Sequence, residues 1–292
     1  MQTHRFLSRM SFLTLAVMIA AACGDSSQGA DTTATTLADP TPTSTPSTMA
    51  PTITAPTTTT MLAGARLDQR VVVDVDGREA AIKCWGEGSP TFMIETGSDD
   101  SGINDASGAA FTEELAALGT VCTYDRLGEG ASDDPPNQLR TADDVVEVLH
   151  AVIEESGIET PLVLIGASFG GMIVTHHAAV YPEDAAAVVL LDVPAPVADL
   201  PYPELEWDHP ANKERLDIVN GFEGRFAESK SPIDAPLLVI TADGGETDVE
   251  DQSVWLEISE DPMQVELHGG HDIAISSPEE VAAEIEAFLA AR

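Results

Sequence analysis

The stretch Leu162-Val163-Leu164-Ile165-Gly166-Ala167-Ser168-Phe169-Gly170 decides how the rest of the chain is read. Four consecutive apolar residues have the continuity of a strand buried on both faces. They run straight into a G-x-S-x-G sequence, and a helix is expected from Ser168 to about Tyr181. A sharp strand-to-helix turn leaves no room for a Cβ two residues either side of the serine, which accounts for Gly166 and Gly170. Such a turn holds the Ser168 hydroxyl at the carboxyl edge of a sheet, beside the positive end of the following helix. A serine in that place is a candidate nucleophile. The bland alternative is a glycine-rich close contact between strand and helix that does no chemistry.

Outward from this stretch the chain alternates strand and helix. Val71–Val75 and Ala80–Cys84 flank Asp76-Gly77, a hairpin signal. Thr91–Glu95 and Val121–Tyr124 are further strands, with a helix over Phe111–Leu118 between them. Thr141–Glu155 is an amphipathic helix whose apolar stripe is Val145, Leu149, Val152 and Ile153. Ala187–Leu191, Leu237–Ile240 and Met263–Leu267 follow as strands. Pro278–Leu289 closes the chain as a helix capped by Ser276 or Ser277. An antiparallel hairpin leading into strand–helix units predicts an α/β fold, a mostly parallel sheet with helices on both faces. The stretch 194–232 breaks the alternation with five prolines before Ser231, Tyr202 and Trp207, and reads as a lid insertion over the mouth of the sheet.

A serine hydroxyl needs a base. Of seven histidines, His4 lies near the N-terminus and His209 in the insertion. His150, His176 and His177 lie deep in the helices flanking the serine, where they cannot swing over its hydroxyl. His268 directly follows strand residue Leu267 and is positional. His271 follows Gly269-Gly270 and is expected on a loop at the carboxyl edge, which makes it the candidate base. No metal site is read from His268 and His271, which lack an acidic or thiol companion set at ligand spacing. No cofactor is implied.

These features together resemble the α/β-hydrolase family of serine hydrolases, the esterases and lipases among them, over about 66–292. Tyr124-Asp125-Arg126-Leu127-Gly128-Glu129-Gly130-Ala131-Ser132 resembles the Y-D-R-x-G-x-G-x-S segment of many bacterial members. Gly269-Gly270-His271-Asp272-Ile273 resembles the family's G-H loop. The resemblance implies a Ser–His–acid triad and an oxyanion hole built from the amides of Phe169 and Ser98, although Thr96-Gly97 stands where His-Gly is common. It implies a triad acid after the sixth or the seventh strand. Asp192 fits the first place, and Asp243 and Asp248 bracket the second. It also makes the strands carrying Cys84 and Cys122 neighbours, so that the two thiols either form a disulfide or stay buried and free. The fold hosts many chemistries and does not name a substrate.

The N-terminus has a different character. His4, Arg5 and Arg9 precede the apolar run Phe12–Ala22, which is too short to span a bilayer. The run ends in Ala20-Ala21-Ala22-Cys23-Gly24, which resembles a bacterial lipoprotein signal and implies cleavage before a lipidated Cys23. An ordinary secretory signal is the alternative. Residues 31–60 hold 14 Thr and 5 Pro and little that packs, so 23–65 reads as a disordered spacer.

The chain carries 13 Lys+Arg against 50 Asp+Glu, a formal charge of -37. Removing 1–22 takes away Arg5 and Arg9 and no acid. Such a balance excludes nucleic-acid binding and electrostatic docking onto anionic lipid. It points to a soluble acidic surface or to adaptation to high salt.

The expectation is therefore a monomeric serine hydrolase, exported and tethered at the bacterial cell membrane through lipid alone. It acts on a small-molecule carboxylic ester through Ser168. A peptidase or amidase of the same fold and a non-catalytic binding lipoprotein are the alternatives.

Overall fold

The computed structural model describes residues 67–74, 76–98, 102, 108–195, 206–216, 231–245 and 248–292. All of them fall in the compact unit Thr59–Arg292. The signal segment 1–22, Cys23, the spacer to residue 65 and much of the 194–232 insertion lie outside the described residues.

Eight strands form one sheet: β1 (Asp68–Val72), β2 (Glu79–Gly86), β3 (Thr91–Glu95), β4 (Thr120–Tyr124), β5 (Leu162–Ala167), β6 (Ala185–Leu191), β7 (Leu237–Gly244) and β8 (Pro262–Gly270). Their spatial order is β1-β2-β4-β3-β5-β6-β7-β8. β1 pairs with β2, and β2 with β4, antiparallel; the rest of the sheet is parallel. The Asp74–Gly77 turn closes the hairpin, with Gly77 at φ 79. Its strands therefore end earlier than the valine run suggests.

Cys84 lies opposite Cys122 across the β2·β4 pair, and the two are joined in a disulfide. The neighbouring strands implied by the resemblance bring the thiols together.

The longer helices are α1 (Ala109–Ala116), α2 (Ala142–Ser156) and α3 (Phe169–Val180). Two single-turn helices follow, α4 (Val249–Gln252) and α5 (Ile273–Ser276), and then α6 (Pro278–Ala290). Thr141 opens α2 with a capping box, its hydroxyl accepting from the Asp144 N–H while the Asp144 carboxylate accepts from the Thr141 N–H. Ser277 sits at the α6 N-cap but sends its hydroxyl to the His268 carbonyl, 2.7 Å away, tying the helix to the end of β8.

The alternation of β5 explains the two-sided core. Leu162 and Leu164 pack with α2 and α3, whereas Val163 and Ile165 pack with α1 and α6. Both sets are buried, as a central strand with helices on each face requires. β8 runs on through His268 to Gly270, so His271 begins the segment directly after a strand that is longer than its alternation suggests.

Candidate active site

Ser168 is the hinge between β5 and α3. Its φ of 48 lies in the left-handed region that a non-glycine residue rarely adopts. Its N–H donates to the Leu191 carbonyl of β6, 3.1 Å away, and its carbonyl accepts from Gly171. The turn is possible because of its glycines: a Cβ on Gly170 would lie 2.2 Å from the Glu95 carbonyl oxygen, and one on Gly166 2.4 Å from the Gly171 Cα.

His271 lies over the hydroxyl, with its Nε2 2.9 Å from Ser168 Oγ. Its Nδ1 is 2.7 Å from Asp192 Oδ2. An ionised carboxylate only accepts, so Nδ1 carries the ring proton and Nε2 is left to accept from the serine. Asp192 follows β6 directly, at φ 44, and is 1 % exposed. Its Oδ1 accepts from the Ala242 N–H at 3.1 Å and from Gln252 Nε2 at 2.8 Å. The Gln252 amide is oriented in turn by the Thr241 hydroxyl, which donates to its Oε1 and accepts from Gln264 Nε2. A line of hydrogen bonds thus runs from β8 to the serine and fixes the aim of the buried carboxylate.

The other candidate acids are elsewhere. Asp248 is exposed and caps α4, accepting from the Asp251 N–H at 2.9 Å. Its expected place beside His271 is thereby corrected: Asp192 already fills that position, and the Asp248 carboxylate serves a helix end. Asp243 pairs with His268 at 2.8 Å and accepts from the Gly269 N–H. His268 is fully exposed and stands away from the serine's hydrogen bonds, as its position directly after Leu267 suggests.

A cavity of about 310 Å³ opens over Ser168 and His271, lined also by Ser98, Phe111, Leu191 and Ile275. Its volume suits a small-molecule site. Phe169 begins α3, where first-turn amides point out of the helix toward the serine end. Ser98, in the loop after β3, lines the cavity beside Ser168.

A cluster unread in the sequence lies beneath that loop. Arg126 is 2 % exposed. Its Nη1 donates to Glu95 Oε1 at 2.7 Å and to the Thr96 carbonyl at 2.9 Å, and its Nη2 to the Gly97 carbonyl at 2.7 Å. Glu214, from the insertion, takes the guanidinium in two bonds of 2.9 and 3.0 Å. Burial works against the Arg126 charge, but Glu214 and Glu95 hold its pKa well above the ordinary value. Burial pushes the Glu95 carboxyl up, against the pull of Arg126. The Arg126 guanidinium lies 5.5 Å from the centre of the Phe169 ring. One cation thus pins the loop carrying Ser98, the residue after the nucleophile and the insertion to one another. The Tyr-Asp-Arg segment was visible in the sequence, but nothing in it pointed to Glu95, Glu214 or Gln252.

Residues 102–237 match the family model for the alpha/beta hydrolase fold. A lipase of Mycobacterium tuberculosis, LipV, is 43% identical over 118 residues, which are 40% of this chain and 44% of that protein. The uncharacterised Bacillus subtilis protein YbdG is 29% identical over 138 residues, 45% of this chain and 40% of that protein. The chain thus spans less than half the length of these curated relatives. Among solved structures, a membrane phospholipase A described as a bacterial virulence factor superposes with TM-score 0.59 at 23% identity, covering 77% of this chain and 86% of that one. The thioesterase domain of a curacin biosynthetic pathway superposes with TM-score 0.60 at 18% identity, covering 76% of this chain and all of that one. The chain has the α/β-hydrolase fold.

Proposed function

We propose that this chain is a serine hydrolase that cleaves small carboxylic esters through an acyl-enzyme on Ser168. The observation that carries the proposal is the continuous hydrogen-bonded line Asp192–His271–Ser168, ending at a cavity wall. As Ser168 Oγ attacks the ester carbonyl, His271 Nε2 takes the hydroxyl proton. Asp192 stabilises the imidazolium through Nδ1–H. The amides of Phe169 and Ser98 donate to the oxyanion. His271 then returns the proton to the departing alcohol. Water, deprotonated by the same imidazole, releases the acid and restores the serine.

The export signal, the Ala22-Cys23 junction and the threonine-rich spacer support an exported enzyme tethered by lipid on Cys23. Residues 66–292 are then the working domain. Among the described residues no helix is long and apolar enough to cross a membrane.

Two measurements test the proposal. A fluorophosphonate probe is expected to label the wild-type protein and not Ser168→Ala, and absence of labelling would favour the non-catalytic binding reading. A panel of acyl esters and matched amides is expected to give turnover on short and medium esters. Turnover confined to amides would replace the esterase reading with the peptidase or amidase one.

A further inference from the structure

At the amino edge of the same sheet a second cluster has no part in the proposed hydrolysis. His150 lies in the last turns of α2, His177 in the last turn of α3, and Asp184 ends the 3-10 turn Pro182–Asp184 that leads into β6. Ser168 and Asp192 follow the far ends of β5 and β6, so the length of a strand, about 20 Å, separates the two places.

His150 Nδ1 is 2.8 Å and His177 Nε2 3.0 Å from one and the same oxygen, Asp184 Oδ2. The three ligating atoms all lie within 4.8 Å of one another. His177 is fully buried and Asp184 nearly so, while the His150 side chain keeps 22% exposure, which gives the cluster one solvent-facing side. Both rings are fixed from outside. Tyr181 stacks on His150 with ring centres 3.7 Å apart and planes 5° from parallel, and it meets His177 at 5.1 Å. The other nitrogen of His150, Nε2, has the Glu154 carboxylate 3.7 Å away.

We infer that His150 Nδ1, His177 Nε2 and Asp184 Oδ2 form a binding site for a divalent transition cation, zinc first among them. Two imidazoles and one carboxylate match zinc's ligand preferences, and the open side leaves a position for water. Ligands about 2.0–2.1 Å from a tetrahedral centre stand about 3.3 Å apart. The two nitrogen–oxygen spacings of 2.8 and 3.0 Å need open by only a few tenths of an ångström, and the two nitrogens, within 4.8 Å of each other, adjust by a turn of the partly exposed His150 ring. The cation takes the place of the imidazole protons now pointing at Asp184, and each neutral ring keeps its one proton on the nitrogen away from the cation, Nε2 of His150 and Nδ1 of His177. A formal charge of -37 on the whole chain favours cation capture. The bound ion ties α2, α3 and the start of β6 together, which makes the site structural.

The test uses the full chain without a histidine tag, stripped with EDTA and dialysed against zinc chloride. Bound metal is counted by mass spectrometry, and the thermal midpoint is read with and without zinc. Wild type and His271→Ala are expected to hold one zinc per chain and to gain about 5 °C at a hundredfold excess over Kd. His150→Gln and Asp184→Asn are expected to hold none and to gain nothing; either variant suffices if the other does not fold. Equal zinc in wild type and His150→Gln, or none in wild type, would overturn the inference and leave the three residues as a hydrogen-bonded clamp. Loss of zinc in His271→Ala would also overturn it by moving the ion to the serine.

Discussion

Two histidines three residues apart in the chain each pair with an aspartate, and the two pairs have nearly the same length. His271–Asp192 spans 2.7 Å and His268–Asp243 spans 2.8 Å. Their surroundings are opposite. Asp192 is buried, holds two further hydrogen bonds on its other oxygen, and faces a ring whose far nitrogen reaches a serine. His268 is 96% exposed, and its pair ends in solvent. The distance alone therefore says nothing about chemistry. What separates the pairs is desolvation, a supported carboxylate and a third group at the other nitrogen.

The largest test of this contrast is to neutralise each acid in turn. Asp192→Asn is expected to lower ester turnover by about 10⁴-fold, because the wrong imidazole tautomer then faces Ser168. Asp243→Asn and Asp248→Asn are expected to stay within about twofold of wild type, as surface changes do. Steady-state kinetics on one activated ester reads all three, and a large loss in Asp243→Asn would erase the distinction between the pairs.

The buried charge cluster extends the contrast to stability. Arg126→Met leaves Glu95 and Glu214 buried without their cation and is expected to cost about 3–5 kcal/mol in denaturant unfolding. The enzyme that remains folded should show a lower kcat, since the loop carrying Ser98 loses its anchor. Glu214→Gln keeps an acceptor in place and is expected to cost less, about 1–3 kcal/mol. An unchanged midpoint in Arg126→Met would show that the cluster anchors nothing.

Reducing the Cys84–Cys122 bond separates stability from chemistry. It closes a loop of sequence separation 38 and lies away from the triad. Its loss is expected to lower unfolding free energy by about 2–4 kcal/mol while leaving kcat of the folded enzyme near wild type.

The smallest effect belongs to the exposed pair. The hydrogen bond that His268 donates to Asp243 raises the His268 pKa above its ordinary value, and that bond also lowers the pKa of Asp243. In Asp243→Asn the His268 titration, followed by NMR, is expected to move back toward lower pH. No change would mean that the pair does not persist in solution.

The order of elements and the serine turn were legible because buried strands announce themselves as apolar runs and close approach demands glycine. The place of His271 beside the serine was legible by elimination, since the other histidines lie in helices, in the insertion, near the N-terminus or, for His268, directly against a strand. The acid was not, because three aspartates follow strands six and seven and only tertiary contacts distinguish them. Gln252 selects Asp192 from 60 residues away, and no local pattern encodes that. Arg126 stands in a visible segment, but its partners Glu95 and Glu214 are 31 and 88 residues distant. The His150–His177–Asp184 cluster escaped for the same reason, two of its members having been read only as helix residues. The far end of β8 was missed because its last residues are His-Gly-Gly, which carry no strand signal.

The central claim is that Ser168 becomes acylated. The most direct measurement is acid-quenching the wild-type protein, His271→Ala and Ser168→Ala during turnover of an activated ester, followed by peptide mapping of the covalent adduct. The account predicts an acyl group on the Ser168 peptide of wild type, little on His271→Ala and none on Ser168→Ala. An adduct on another residue, or full turnover by Ser168→Ala, would contradict it.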